Sequence, residues 1–78
     1  MPAKQVAIDE LEAILLSELR KVAGCEGALQ VTTIARSSGD WIVGPIRAGT
    51  ADLGKCKATL AGIEKRFRDM YSLKEKFR

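Results

Sequence analysis

Between Ala3 and Ala23 the apolar residues Ile8, Leu11, Leu15, Leu19 and Val22 return at intervals of three and four, and Ile14 and Leu16 widen the stripe. Those intervals place them on one face of an α-helix. Pro2 suits a first helical turn, where its missing N–H is not needed. Gly24 offers a left-handed stop just beyond Arg20 and Lys21, two cations placed at the favourable end of the helix dipole. The spacing predicts a first amphipathic helix over this stretch.

Past Gly27 the pattern changes. Leu29-Gln30-Val31-Thr32-Thr33-Ile34 is short and β-branched, Ser37-Ser38-Gly39-Asp40 is turn-forming, and Trp41-Ile42-Val43 resumes the apolar run. This is the signature of a β-hairpin. Gly44-Pro45 interrupts the second strand, and a proline there belongs at an edge or a bulge because it donates no ladder hydrogen bond. The turn leaves two registers open. With a two- or four-residue loop, Leu29, Val31, Thr33, Ile42, Gly44 and Ile46 share one face, and Ile34, Trp41 and Val43 lie opposite. With a three-residue loop and Gly39 left-handed, the second-strand residues exchange faces.

A second helical pattern follows Gly49-Thr50, with Thr50 as the expected N-cap and Asp52 in the first turn. Leu53, Cys56, Leu60, Ile63, Phe67 and Met70 step by three and four, and Leu73 and Phe77 extend the stripe into the mid-seventies. Beside it Gly54, Ala58 and Gly62 form a row of small residues that lets another backbone approach. The expected fold is therefore α+β in the order α-β-β-α, a single domain over residues 1–78, with both helices packed on one face of an antiparallel hairpin.

In neither register is one face of the hairpin fully polar, and a two-stranded sheet is barely stable alone. The expectation is a homodimer that covers the second face, using Ile34, Trp41 and Val43 on the hairpin or Gly54, Ala58 and Gly62 on the second helix. The alternative is that the helices wrap the hairpin and Trp41 is a core aromatic.

Composition narrows the chemistry. Of 78 residues 46% are hydrophobic and 29% charged, which suits a folded chain. There is no histidine and there are only two cysteines, so one chain cannot assemble a four-ligand zinc site and lacks the usual general base. No metal, cofactor or enzymatic activity is expected. Cys56 lies in an apolar stripe and reads as an inert small hydrophobe; Cys25, beyond a helix C-terminus, is a poor nucleophile. Their spacing leaves a Cys25–Cys56 disulfide open. The run Ala13-Ile14-Leu15-Leu16 is too short for a secretory or membrane segment, so reduced thiols and a cytoplasmic setting away from membranes are expected. Gly24-Cys25-Glu26-Gly27 places an acid where a phosphate would sit and leads into a strand, unlike a phosphate-binding loop.

Charge is unevenly spread. Residues 1–40 carry four basic side chains against six acidic ones, and residues 55–78 carry eight against three, within a net charge of +3. A basic final helix suggests the competing function, nucleic-acid binding through Arg36, Arg47, Lys65, Arg66 and Arg68. The helix–hairpin–helix order is only loosely like the double-stranded-RNA-binding domain. That module has three strands and a lysine-rich start to its last helix, where this chain has Ala51-Asp52-Leu53-Gly54.

Cys25-Glu26, Trp41 with Val43, Gly49 with Ala51-Asp52, and Tyr71 with Leu73 together resemble a group of short uncharacterised proteins of rhizobial-type α-proteobacteria. The resemblance covers most of the chain. It implies a bacterial cytoplasmic setting and no particular activity; the Gly44-Pro45 breaker departs from the group's strand. The leading expectation is a non-enzymatic protein-interaction module that self-associates.

Overall fold

In the computed structural model residues 4–36 and 39–74 are described, and their elements run β1 (Lys4–Val6), α1 (Ile8–Arg20), β2 (Gln30–Ala35), β3 (Trp41–Arg47), α2 (Leu53–Met70) and β4 (Tyr71–Leu73). The domain is α+β, with two helices and an antiparallel β2–β3 pair. Two short strands are added to the expected order. β1 and β4 pair in parallel, Lys4 with Tyr71 and Val6 with Leu73, and the Lys74 N–H continues the ladder to the Val6 carbonyl at 2.9 Å.

Helix α1 starts later than the apolar spacing suggests, because Lys4–Val6 is committed to β1. Asp9 and Glu10 occupy its first turn, where carboxylates favour the positive end of the helix, and no side chain caps Ala7. Leu11, Leu15 and Leu19 are wholly buried, whereas Ile8, assigned to the same stripe, is 38% exposed. The helix ends at Arg20, before Gly24. Lys21 and Val22 close the last turn with short bonds to Glu18 and Leu19, and Arg20 Nε donates to the Ala28 carbonyl at 2.8 Å.

Helix α2 is capped by Asp52, not Thr50. The Asp52 carboxylate accepts from the Lys55 N–H at 3.1 Å, satisfying one of the donors that every helix start leaves free. Cys56, Leu60, Ile63 and Phe67 form its buried face. The expected continuation through Leu73 does not occur. Tyr71 turns extended (φ −134°, ψ 143°), and Leu73 is buried as a strand residue beside Val6. Phe77 and Pro2 lie outside the described residues.

The core joins all these elements. Trp41 is wholly buried and shares one core with Leu11, Leu15, Leu19, Leu60, Ile63 and Phe67, and its indole Nε1–H donates to the Tyr71 carbonyl at 3.1 Å, tying the hairpin to β4. Cys25 and Cys56 are joined as a disulfide across a Cα–Cα distance of 5.8 Å, which corrects the expectation of reduced thiols and of Cys56 as an isolated hydrophobe. The pair staples the α1–β2 connection to the first part of α2. Such a link reinforces a domain too small to rely on its core alone.

Candidate interaction surface

The register of the hairpin decides which residues reach solvent. Thr33 faces Val43, Ile34 faces Ile42 and Ala35 faces Trp41, and the Arg36 N–H bonds the Asp40 carbonyl at 2.8 Å. Three residues therefore connect Arg36 to Asp40, with Gly39 left-handed at φ 79°, as the three-residue reading requires. Ser37 and Ser38 lie outside the described residues. Gly39 is itself buried: a Cβ there would sit 3.1 Å from the Leu73 carbonyl oxygen, so the turn packs on β4.

The expected exchange of faces is then altered by a bulge. Between Val31 and Thr33 the ladder slips, since Val31 pairs with Ile46 while Thr33 pairs with Val43. The extra residue falls in Val43–Ile46, where Gly44-Pro45 cannot maintain regular pairing. Val31, Thr33, Trp41, Val43 and Ile46 consequently share the inner face, toward the helices. Trp41 offers no surface to a partner, a correction to its place among the expected contact residues, and Val43 is half-buried.

The outer face carries Thr32, Ile34, Ile42 and Gly44. Ile34 is 45% exposed and lies across Gly44, whose missing Cβ would stand 3.0 Å from Ile34 Cδ1. Next to Gly44 the surface dips into an open groove of about 370 Å³ between β3 and α2. Val43, Pro45 and Ile46 form one wall and Leu53, Leu60 and Ala61 the other, with Lys57 and Glu64 at the rim. Leu53 is 49% exposed. The apolar outer strand face and the groove thus adjoin along Gly44-Pro45.

On each flank of the hairpin one outward amide is occupied by a helix glutamate. Thr33 and Val43 are cross-strand partners whose N–H groups point outward. The Thr33 N–H donates to a Glu12 carboxylate oxygen of α1 at 2.7 Å, and the Val43 N–H to Glu64 of α2 at 3.4 Å. An exposed strand edge is a template for another chain, and each glutamate occupies one of the donors such a chain would use.

The small-residue row takes a different place. Gly54, Ala58 and Gly62 are all exposed, and a Cβ on Gly62 would meet nothing within 4 Å. At about 100° per residue, the row lies nearly opposite the Cys56–Leu60–Ile63 face of α2 and away from the groove. The six expected contact residues are therefore not one patch: Ile34 lies on the outer sheet face, Val43 in the groove, Trp41 in the core and the small residues on the far side of α2.

The basic residues are also dispersed. One Arg68 nitrogen lies 3.1 and 3.2 Å from the two Asp40 oxygens, and Arg36 lies 3.9 Å from the same carboxylate. The Trp41 backbone N–H, and then the Arg68 guanidinium, hold the Asp40 carboxyl below the ordinary carboxylate range, against the opposing effect of partial desolvation. Arg66 lies 3.7 Å from Glu18 and stacks 5.2 Å above the Phe67 ring. Arg47, opposite Gln30, is at the other end of β3 from the Arg36–Asp40 turn, roughly 20 Å along a strand of this rise. Arg36, Arg66 and Arg68 thus each have a carboxylate partner, and Arg47 stands apart from them. A polar hollow lined by Asp40, Glu64, Lys65, Arg68 and Asp69 mixes both signs of charge.

Among the described residues no group of three or more cysteine, aspartate or glutamate side chains is placed to hold a metal ion, and no helix is long and apolar enough to cross a membrane. Comparison with known protein families, with curated proteins and with solved structures found no match.

Proposed function

We propose that this chain is a non-enzymatic protein-interaction module that self-associates through the outer face of its hairpin and the adjoining β3–α2 groove. The observation that supports this reading is the one-sided sheet. Both helices lie against the inner face, while Ile34 and Leu53, each about half exposed, border a continuous apolar strip across Gly44-Pro45. Contiguous apolar strips rimmed by charge mark association sites more often than isolated exposed residues do. Because Glu12 and Glu64 each occupy one outward amide, the proposed second copy approaches face to face and does not extend the sheet.

A bacterial cytoplasmic setting and a homodimer belong to the same proposal. The disulfide then forms or opens with the redox conditions the chain meets, since reduced thiols are the ordinary state in that compartment. Nucleic-acid binding is the weaker alternative, because Arg36, Arg66 and Arg68 are already held by Asp40 or Glu18.

Sedimentation equilibrium at micromolar to submillimolar concentration tests the reading. The expected mass is twice the 8.5 kDa of one chain, reverting to one chain in Ile34→Glu, whose side chain stands outside the core. A monomer over the whole range would overturn it, as would a dimer indifferent to Ile34→Glu and Leu53→Glu together. Binding of duplex DNA or RNA that weakens steeply with salt would favour the alternative.

A further inference from the structure

The α1–β2 connection and the start of α2 meet in a corner held by several close backbone approaches. The Asp52 N–H donates to the Gly24 carbonyl at 3.2 Å, and the Leu29 N–H to Arg47 at 2.8 Å. Gly27 packs directly on Thr50, leaving no room there for a side chain. The Cys25–Cys56 disulfide crosses this corner. Both cysteines are wholly buried, yet their chain neighbours Gly24, Glu26, Lys55 and Lys57 are all exposed. Neither cysteine presents surface to solvent, so a reductant reaches the bond through local opening of this corner.

The corner is also built to accept the separated sulfurs. Cys56 Sγ lies 3.8 Å from the Gly24 carbonyl oxygen, so its thiol has an acceptor already in place. Cys56 comes four residues after the Asp52 cap, near the positive end of α2 and next to Lys55, which favours it as a departing thiolate. Leu53 is the first residue of the helical segment that the bond anchors, and it forms a wall of the β3–α2 groove. Cys25 and Cys56 belong to the same buried core as Leu11, Leu15, Trp41 and Phe67, but Ile63 and Phe67 lie about two to three turns beyond Cys56 along α2.

We propose that Cys25–Cys56 is a reversible redox clasp whose reductant is a dithiol, and that opening it loosens the first turn of α2, with Leu53, while the rest of the domain stays folded. A reductant thiolate attacks Cys25 Sγ, and the S–S electron pair leaves on Cys56, which takes up a proton. The second reductant thiol, as its thiolate, then displaces Cys25, which is protonated in turn. One dithiol becomes one disulfide, and one disulfide in the protein becomes two thiols. The effect on the groove rests on the proposed self-association; the clasp itself does not.

The test compares the full chain, oxidised and then reduced with dithiothreitol, by amide hydrogen exchange, thiol titration and sedimentation. The expected result is two titratable thiols per chain, with exchange around residues 22–27 and 50–57 accelerated about tenfold or more beyond the acceleration that the loss of global stability gives Leu11–Leu19 and Leu60–Phe67. Reoxidation with an excess of a small-molecule disulfide, which runs the same exchange backwards and is itself reduced to thiols, should restore the first pattern. Equal acceleration throughout the chain would overturn the proposal by making the bond a staple of the whole fold, and acceleration nowhere would overturn it equally. Cys25→Ala with Cys56→Ala should reproduce the reduced pattern without reductant. Dimerisation weakened about fivefold on reduction supports the link to the groove; dimerisation unchanged overturns that link. A chain monomeric in both states overturns the self-association reading and with it the link, while the exchange pattern alone decides the clasp.

Discussion

Opening the Cys25–Cys56 bond should cost this domain a large part of its stability. The cysteines are 31 residues apart, and the loop-closure relation for a ring of that size gives about 3.7 kcal/mol of lost restraint on the unfolded chain. A domain of this length has a total stability of roughly 4–12 kcal/mol. Reduction should therefore remove a third or more of it and lower the melting temperature by roughly 15–30 °C. Urea titration followed by Trp41 fluorescence suits the measurement, because the single tryptophan is fully buried in the folded chain. Reduced wild type is the better reference, since Cys→Ala variants also delete buried sulfur. A difference below about 1 kcal/mol between oxidised and reduced chains would refute the entropic reasoning. Complete unfolding on reduction in the absence of urea would instead leave no folded state for a clasp to modulate.

Four single positions carry the remaining predictions. Gly39→Ala should destabilise by about 1–2 kcal/mol, because φ is 79° and the new methyl would crowd the Leu73 carbonyl, whereas Gly62→Ala should gain up to about 1 kcal/mol by helix propensity; paired thermal melts check both. Thr33→Val should be neutral or stabilising by about 1 kcal/mol, since Thr33 Oγ1 is buried without a hydrogen-bond partner among the described residues; chemical denaturation would show it, and a clear loss would mean the hydroxyl has a partner. Asp40 has its carboxyl held below the ordinary range, so its contribution is present above the unfolded aspartate value of about 3.9 and is lost as pH falls through the lower folded value. Asp40→Asn should flatten that acid limb in melts recorded from pH 2 to 6, and an unchanged limb would assign it to other carboxylates.

The helices and the hairpin were legible because each repeats its period several times. Leu11, Leu15 and Leu19 and the row Cys56, Leu60, Ile63, Phe67 state the helical interval outright, and the buried faces follow it. β1 and β4 are only three residues each, too short to display an alternation, and Leu73 falls on the helical interval from Met70 although its backbone is extended. Their pairing depends on contacts between opposite parts of the chain, which no local pattern reports. The burial of Trp41 depended on loop length, and Gly39 was its signal. What could not be anticipated was Ile46 returning to the inner face, because that needs both the three-residue turn and the slip at Gly44-Pro45. The disulfide was open on spacing but set aside on compartment, an argument about surroundings that geometry does not obey. The glutamate caps at Thr33 and Val43 had no signature at all, since Glu12 and Glu64 look like any solvated helix acids.

The parallel pairing of β1 with β4 also bears on how the chain reaches this state. Lys4 meets Tyr71, so the ladder joins positions almost the whole described chain apart, while the hairpin and both helices are made of near neighbours. Closing so wide a circuit has a high entropic barrier and gains nothing until both helices have already docked. The two short strands should therefore assemble last and detach first. The Trp41 indole bond to Tyr71 would then act as the latch that reports their arrival, and a refolding trace should show a late, smaller tryptophan change after the main one that accompanies burial of the ring by the helices.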